Sequence, residues 1–456
     1  MKLREYQTIA RRFMGDRPRC ALWALPGAGK TAAVLHALAD LYLTGEIERV
    51  LVIAPLRVAR DVWTDEVARW PDVAPVLGTI VPIVGTPAER RRALAATPLI
   101  QTINYENLLW LTEELRGRWP FDTVVADEAS KLRSFRVKQG GKRAHTLGSF
   151  AHTKVRRFWE LTGTPSANSL AALWGQAWFL DGGQRLGRSF EAFQQRWFSY
   201  EGDKGRSALV PLPFAQEQIT EALRDICLTI DPKDWFDLRE PVYTRVPVKL
   251  PAAARDVYRK LQKELFAELR SGRVTAFNAA AKSSKLRQVA SGNVYLDDRE
   301  GAWETVHTAK LEALEDLLAE LNEPAVVAYA FVSDRLALLA RLPGAVDLAT
   351  SEGLRRFKAG HAQVGIAHPQ SLGHGVDGLQ RVCRTTIFYS SEWDHEGRLQ
   401  LLERTGPTRQ HQAGLNRNVL VYDLIATGTV DEAILGRHES KASVQQALLD
   451  SMRVAP

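Results

Sequence analysis

The chain has 456 residues, with 60 Lys plus Arg against 53 Asp plus Glu and a formal charge of +7. At roughly 150 residues per domain this length implies two or three folding units, and a 45% hydrophobic fraction with twelve Trp supplies cores for them. Three Cys without paired spacing argue against a disulfide framework or a Cys-based metal site, and no run approaches the roughly 20 apolar residues that span a bilayer.

A soluble protein of the cytoplasm or of a host's cytoplasm, with no membrane partner, is the expectation. The modest positive excess permits a polyanion partner without demonstrating one.

Near the N-terminus, LREYQ places Gln7 one helix before a glycine-rich stretch. Its amide carries a donor and an acceptor, the pair needed to read an adenine edge. CALWALPGAGKTAAVLHALADLY then reads as an apolar strand, a tight turn and a helix. At Gly27 and Gly29 the missing Cβ lets the backbone of residues 27–29, Ala28 included, close around phosphate oxygens at a helix N-terminus. Lys30 would reach the β- and γ-phosphates, and the Thr31 hydroxyl would join a magnesium shell. Ala24 stands where the usual pattern begins with Gly, a weak departure.

RVLVIAPL at 49–56, PLIQTINYENLLWL from Pro98 and FDTVVADEAS from Phe121 are short apolar runs separated by helical patterns. That rhythm predicts a mostly parallel sheet covered by helices, with ligands at the carboxyl ends of the strands. Asp127 and Glu128 close one such run. There one carboxylate can hold magnesium, partly through water, while its neighbour positions or deprotonates the attacking water. LTGTPSANS at 161–169 sets Thr162, Gly163, Thr164 and Ser166 in a turn suited to sensing a γ-phosphate and relaying its loss.

Residues 184–305 break the rhythm with RSFEAFQQRWFSY, a loop-like GDKGR and the helical PAAARDVYRKLQKELFAELRSG. This basic region can either grip a phosphate backbone or serve as a packed connector with a wet charged face. From AVVAYAFVS at 325 the rhythm returns through AVDLAT, QVGIAHP, TTIFYSS and NVLVYDLIA, yet without a second Gly-Lys-Thr loop. Two similar units with one phosphate loop suggest a composite site. HPQSLGHGVDGLQ at 368–380, with Gly375, Asp377 and Gln380, and LLERTGPTRQ at 401–410, with Arg404 and Arg409, are the second unit's candidates. A planar arginine suits phosphate oxygens and can stabilise transition-state charge.

Taken in order, LREYQ, PGAGKT, APLRV, NYENL, DEAS, TGTPSAN, AHPQSLGHGVDGLQ and ERTGPTRQ resemble a superfamily 2 helicase of the Swi/Snf-type branch, above all its compact phage or bacterial members. The resemblance implies an α/β fold of two RecA-like parallel-sheet lobes with a helical insertion and a C-terminal brace helix. The corresponding divisions are 1–183, 184–305, 306–428 and 429–456. It also implies ATP and magnesium as cofactors and DNA-stimulated translocation on double-stranded DNA. In that family Gln7 reads adenine, Lys30 and Thr31 hold phosphate and magnesium, and Asp127 and Glu128 are the metal-linked and water-activating carboxylates. Thr162 to Pro165 couple hydrolysis to nucleic acid, Gly373, His374, Gly375 and Gln380 form the second lobe's Gly-rich segment, and Arg404 is its arginine. KLRQVASGNVY at 285–295 resembles the start of the second lobe, SFEAFQQRWF the first lobe's protrusion, and TVDEAILGRHESK at 429–441 the bracing tail.

Two positions depart from the pattern: Ser130 stands where many relatives carry His, and Pro407 where a second Arg is usual, with Arg409 two residues farther on. The competing readings are a strand-separating helicase on forked DNA or RNA, and a nucleotide-gated nucleic-acid clamp with little turnover. Protein partners and oligomeric state are left open, a monomer being one option.

Overall fold

The computed structural model describes residues 2–25, 27–137, 142–166, 169–201, 208–270, 276–296, 301–372, 376–415 and 417–451. For 142–143, 208, 265–270, 276–282 and 441–451 it describes the backbone alone. The GDKGR segment lies outside the described residues. The chain divides into two compact units, Met1–Asp237 with Lys441–Pro456, and Leu238–Ser440.

The first unit is built on β1 (Arg19–Ala24), β2 (Val50–Ala54), β3 (Val81–Ile83), β4 (Ile100–Asn104), β5 (Thr123–Asp127) and β6 (Arg157–Thr162). After an antiparallel hairpin, β7 (Phe198–Glu201) and β8 (Ala208–Pro211), the strand β9 (Cys227–Ile230) joins the same sheet. The seven strands run in the order 3-4-2-5-6-1-9, and every ladder is parallel. VLVIA and TVVAD are buried at every position, as continuous apolar runs must be when helices cover both faces. Alternate residues of β6 feed separate cores, Phe158 packing with Trp174 and Phe193 on one face and Trp159 with Trp63 and Leu22 on the other. Strand β6 lies between β1 and β5, so the turn after Thr162 is flanked by the loop leaving β1 and the acidic pair closing β5.

The second unit carries β10 (Val242–Val248), a hairpin of β11 (Asn293–Tyr295) and β12 (Trp303–Thr305), then β13 (Ala325–Ala328), β14 (Val346–Asp347), β15 (Val364–Ala367), β16 (Thr385–Phe388) and β17 (Leu420–Ala426). Its six-stranded sheet runs 10-17-16-13-15-14, again wholly parallel. The stretch 184–305 therefore holds more than helices. Alongside the helices Ala252–Arg270 and Ala276–Ser291, it gives β9 to one sheet and β10 to the other. A C-terminal helix spans Val430–Ser451. Among the described residues, no helix is long and apolar enough to cross a membrane.

Candidate nucleotide site

Helix α1 (Glu5–Gly15) and helix α2 (Lys30–Leu43) frame the phosphate loop. Gly27 and Gly29 have φ of 87° and 75°, the left-handed region that only glycine enters without strain. Gly29 is doubly constrained, because a Cβ there would lie 2.2 Å from Gln7 Nε2. The buried Gln7 amide donates to the carbonyls of Ala28 at 3.4 Å and Gly29 at 3.3 Å, while its Oε1 accepts from the Arg4 amide at 2.9 Å. Gln7 is thus part of the loop's support.

Lys30 opens α2, and its Nζ donates to the carbonyls of Ala24 at 2.5 Å and Leu25 at 3.4 Å. Thr31, half-buried, sits beside it on the first turn. A small open cleft is lined by Tyr6, Gln7, Ala28, Gly29, Lys30 and Ile230, among others.

Asp127 is the last residue of β5 and is buried. Burial pushes its carboxyl above the ordinary range, opposed by the Lys30 charge, the Trp63 indole and the Glu128 backbone. The indole Nε1 of Trp63, first residue of helix α3 (Trp63–Ala68), donates to Asp127 Oδ2 at 3.0 Å. Glu128 adopts φ 60°, ψ 54°, a left-handed conformation that costs a non-glycine residue about 1–3 kcal/mol. The Tyr105 hydroxyl donates to the carbonyls of Asp127 at 3.0 Å and Glu128 at 3.4 Å. Burial, reinforced by nearby carboxylates, pushes that phenol well up, so it remains a donor. Ser130 is buried one turn on.

Trp63 and Tyr105 are the residues that sequence reasoning did not single out. The available signal was a polar-tipped aromatic shortly after each of two parallel strands, which fixes neither partner.

In the turn after β6 the Thr162 hydroxyl accepts from the Thr164 amide at 3.1 Å. Thr162, Gly163, Thr164 and Ser166 are all buried. Gln7, the loop residues 27–31, Asp127, Glu128 and this turn all belong to the first unit.

The second-unit candidates form their own cluster. Arg409 Nη1 pairs with Asp377 Oδ1 at 2.5 Å, and Gln380 Nε2 donates to the same oxygen at 3.2 Å. The Gly378 amide donates to Gln380 Oε1 at 3.0 Å, and buried Arg404 donates through Nη1 to the Val376 carbonyl at 3.1 Å. Gly375, with Gly373 and His374, lies outside the described residues.

The donor chemistry fits a magnesium nucleotide. The Thr31 hydroxyl and the Asp127 carboxylate are hard oxygen ligands of the kind that magnesium takes, and a helix N-terminus carrying a lysine suits a polyphosphate. Loop, acidic pair and interposed turn on a parallel sheet define a P-loop nucleotide-binding class.

Comparison with known proteins narrows the class. Residues 12–292, more than half of the chain, match the SNF2-related domain. The chain is 44% identical over 456 residues to "Putative protein p41" of Acyrthosiphon pisum secondary endosymbiont phage 1, covering 99% of this chain and 98% of that protein. With the chromatin structure-remodeling complex subunit snf21 of Schizosaccharomyces pombe it shares 22% identity over 504 residues, covering 99% of this chain but 39% of that much longer protein. The solved Sulfolobus solfataricus SWI2/SNF2 ATPase core in complex with dsDNA covers 100% of this chain and 98% of that chain at 19% identity and a TM-score of 0.46. On the family match and the phage relative, the chain belongs to the SNF2-related family, the Swi/Snf-type branch of the superfamily 2 helicase-ATPases, and its two sheets are RecA-like lobes.

Proposed function

We propose that the protein hydrolyses ATP in a magnesium-dependent reaction and couples the cycle to translocation along double-stranded DNA. The observation that carries this reading is the arrangement of Lys30, Asp127 and Glu128 at the carboxyl ends of β1 and β5, with the Thr162–Thr164 turn on the strand between them. Membership of the SNF2-related family supports duplex DNA as the track.

In this reading Gln7 recognises the base and the backbone of Gly27, Ala28 and Gly29 cradles the phosphates. Lys30 donates to the β/γ-phosphate oxygens after leaving the carbonyl of Ala24. Magnesium, held by Thr31 and by Asp127 partly through water, would neutralise phosphate charge. Glu128 accepts a proton from the attacking water. Thr162, Gly163 and Thr164, with Gln380 of the second lobe, relay the nucleotide state to the track. Arg404 or Arg409 of the second lobe stabilises the charge that develops on the transferred phosphoryl group. Gly375 and Asp377 belong to the nucleotide-binding set of that lobe. Movement on DNA would then remodel it or displace proteins bound to it.

The test is steady-state ATP hydrolysis without nucleic acid and with matched duplex DNA, single-stranded DNA or RNA. Preferential stimulation by duplex DNA is expected. Preference for a single strand or RNA would favour a strand-separating helicase, and ATP-gated DNA affinity without turnover would favour a clamp.

A further inference from the structure

We propose that Trp63 and Tyr105 are positioning residues for the acidic pair: Trp63 fixes the Asp127 carboxylate, and Tyr105 fixes the backbone turn that presents Glu128. The inference rests on the assignment of Asp127 and Glu128 to magnesium-dependent ATP hydrolysis.

The two aromatics grip the pair from opposite faces of the sheet. Trp63 belongs to one core and Tyr105 to the other. Trp63 is fully buried, and an indole N–H can only donate and does not titrate. Its bond to Asp127 Oδ2 is therefore available at every working pH and favours one orientation of the carboxylate.

The chain takes an unusual route to make that bond. Val58–Val62 forms a single π turn in which the Trp63 amide reaches the Val58 carbonyl, five residues back. In a regular α-helix that amide would bond to Ala59. The Ala59 carbonyl instead accepts from the Thr102 hydroxyl of neighbouring β4. The π turn inserts a residue and rotates the next turn of helix, Trp63 included, by about 100° relative to a regular α-helix. Thr102 thus supports the register that aims Trp63 at Asp127.

Tyr105 acts on the backbone. Consecutive carbonyls of an extended strand point to opposite sides, so one hydroxyl cannot serve both. Here Tyr105 contacts the carbonyls of both Asp127 and Glu128, because the left-handed Glu128 breaks the alternation at that point. The phenol thereby stabilises the one backbone conformation that a glutamate would otherwise leave.

The test uses the full chain carrying Trp63→Phe, Tyr105→Phe or Thr102→Val. Each substitution removes a donor and keeps most of the side-chain volume. The first readout is binding of a fluorescent ADP analogue during magnesium titration. Trp63→Phe should raise the magnesium needed for half-maximal binding about tenfold, within the 10–100-fold range seen when partners of metal ligands are removed. Thr102→Val should shift it in the same direction with Trp63 still present. Tyr105→Phe should leave that titration unchanged, lower kcat about tenfold or more with KM for ATP unchanged, and speed amide hydrogen exchange at the end of β5.

Native magnesium dependence in both Trp63→Phe and Thr102→Val, with native kcat and exchange in Tyr105→Phe, would overturn the proposal. If Trp63→Phe fails to melt cooperatively, Thr102→Val decides the Trp63 half. Absence of hydrolysis in the native protein would overturn the functional reading instead, while the magnesium titration and the exchange measurement would still decide this inference.

Discussion

Arg409 and Asp377 form a 2.5 Å ion pair inside the second lobe, with 14% and 53% of their side chains exposed. An arginine suited to a γ-phosphate is thus held by a carboxylate of its own lobe, two positions beyond the proline that replaces the family's usual arginine. Exposure of Asp377 limits the pair to at most about 1 kcal/mol, so a phosphate can compete for the guanidinium. Arg404, by contrast, is buried against the Val376 carbonyl.

Alanine at either arginine separates their roles. Arg409→Ala or Arg404→Ala, at least one of them, is expected to lower DNA-stimulated hydrolysis tenfold or more while a cooperative melt persists, the order of a missing transition-state charge contact. Native stimulated rates in both would mean that another residue supplies the charge.

Loss of the loop lysine and loss of the acidic neighbour should differ in kind. Lys30→Ala is expected to impair ATP binding, whereas Glu128→Gln should retain binding and slow turnover by about 10²–10⁴-fold, the contribution of a positioned general base. Equilibrium nucleotide binding measured beside kcat distinguishes them, and normal turnover in both would remove these residues from the chemistry.

Gly29→Ala tests the loop's geometry. Its φ of 75° and the 2.2 Å approach to Gln7 Nε2 leave no room for a methyl group. A loss of about 1–3 kcal/mol, the range for a strained backbone position, is expected in denaturant unfolding, with weaker nucleotide binding as Gln7 is displaced.

Stability of the second lobe should carry a pH signature. Burial raises the Asp334 carboxyl to about 6, against bonds from the Ser390 hydroxyl at 2.7 Å and the Phe331 amide at 3.2 Å. A folded-state value above the unfolded 3.8 means that the folded chain holds the proton more tightly. The associated stability is full below about pH 4, falls as pH rises through about 6 and stays lost above it. Asp334→Asn, whose amide oxygen can accept the same bonds, should flatten that slope and gain on the native protein by about 2–3 kcal/mol between pH 4 and 7. Parallel pH profiles for the two proteins would contradict this.

Much of the architecture was legible because strands covered on both faces must be continuous apolar runs. VLVIA, TVVAD and AVVA announce themselves in that way, and the Gly-Lys-Thr loop needs only local spacing. Strand β9, CLTI, is only four residues long and stayed hidden within a stretch read as largely helical. Strand β10, VYTRVPV, is a mostly exposed edge strand with Arg245 and Pro247 within it, so apolar continuity does not mark it. The roles of Trp63 and Tyr105 were illegible for another reason: they depend on a π turn held by Thr102 and a left-handed Glu128. Both features arise from contacts between elements distant in sequence. The pairing of Arg409 with Asp377 is likewise a tertiary fact.

Coupling of hydrolysis to movement on an intact duplex is tested most directly by displacement of a third strand. The substrate is a triplex on blunt duplex DNA with no fork and no single-stranded tail, incubated with magnesium and ATP, with Glu128→Gln protein as control. ATP-dependent release of the third strand by the native protein, absent with Glu128→Gln and without unwinding of the duplex, is expected. Vigorous ATP hydrolysis with the third strand left in place would contradict translocation on double-stranded DNA.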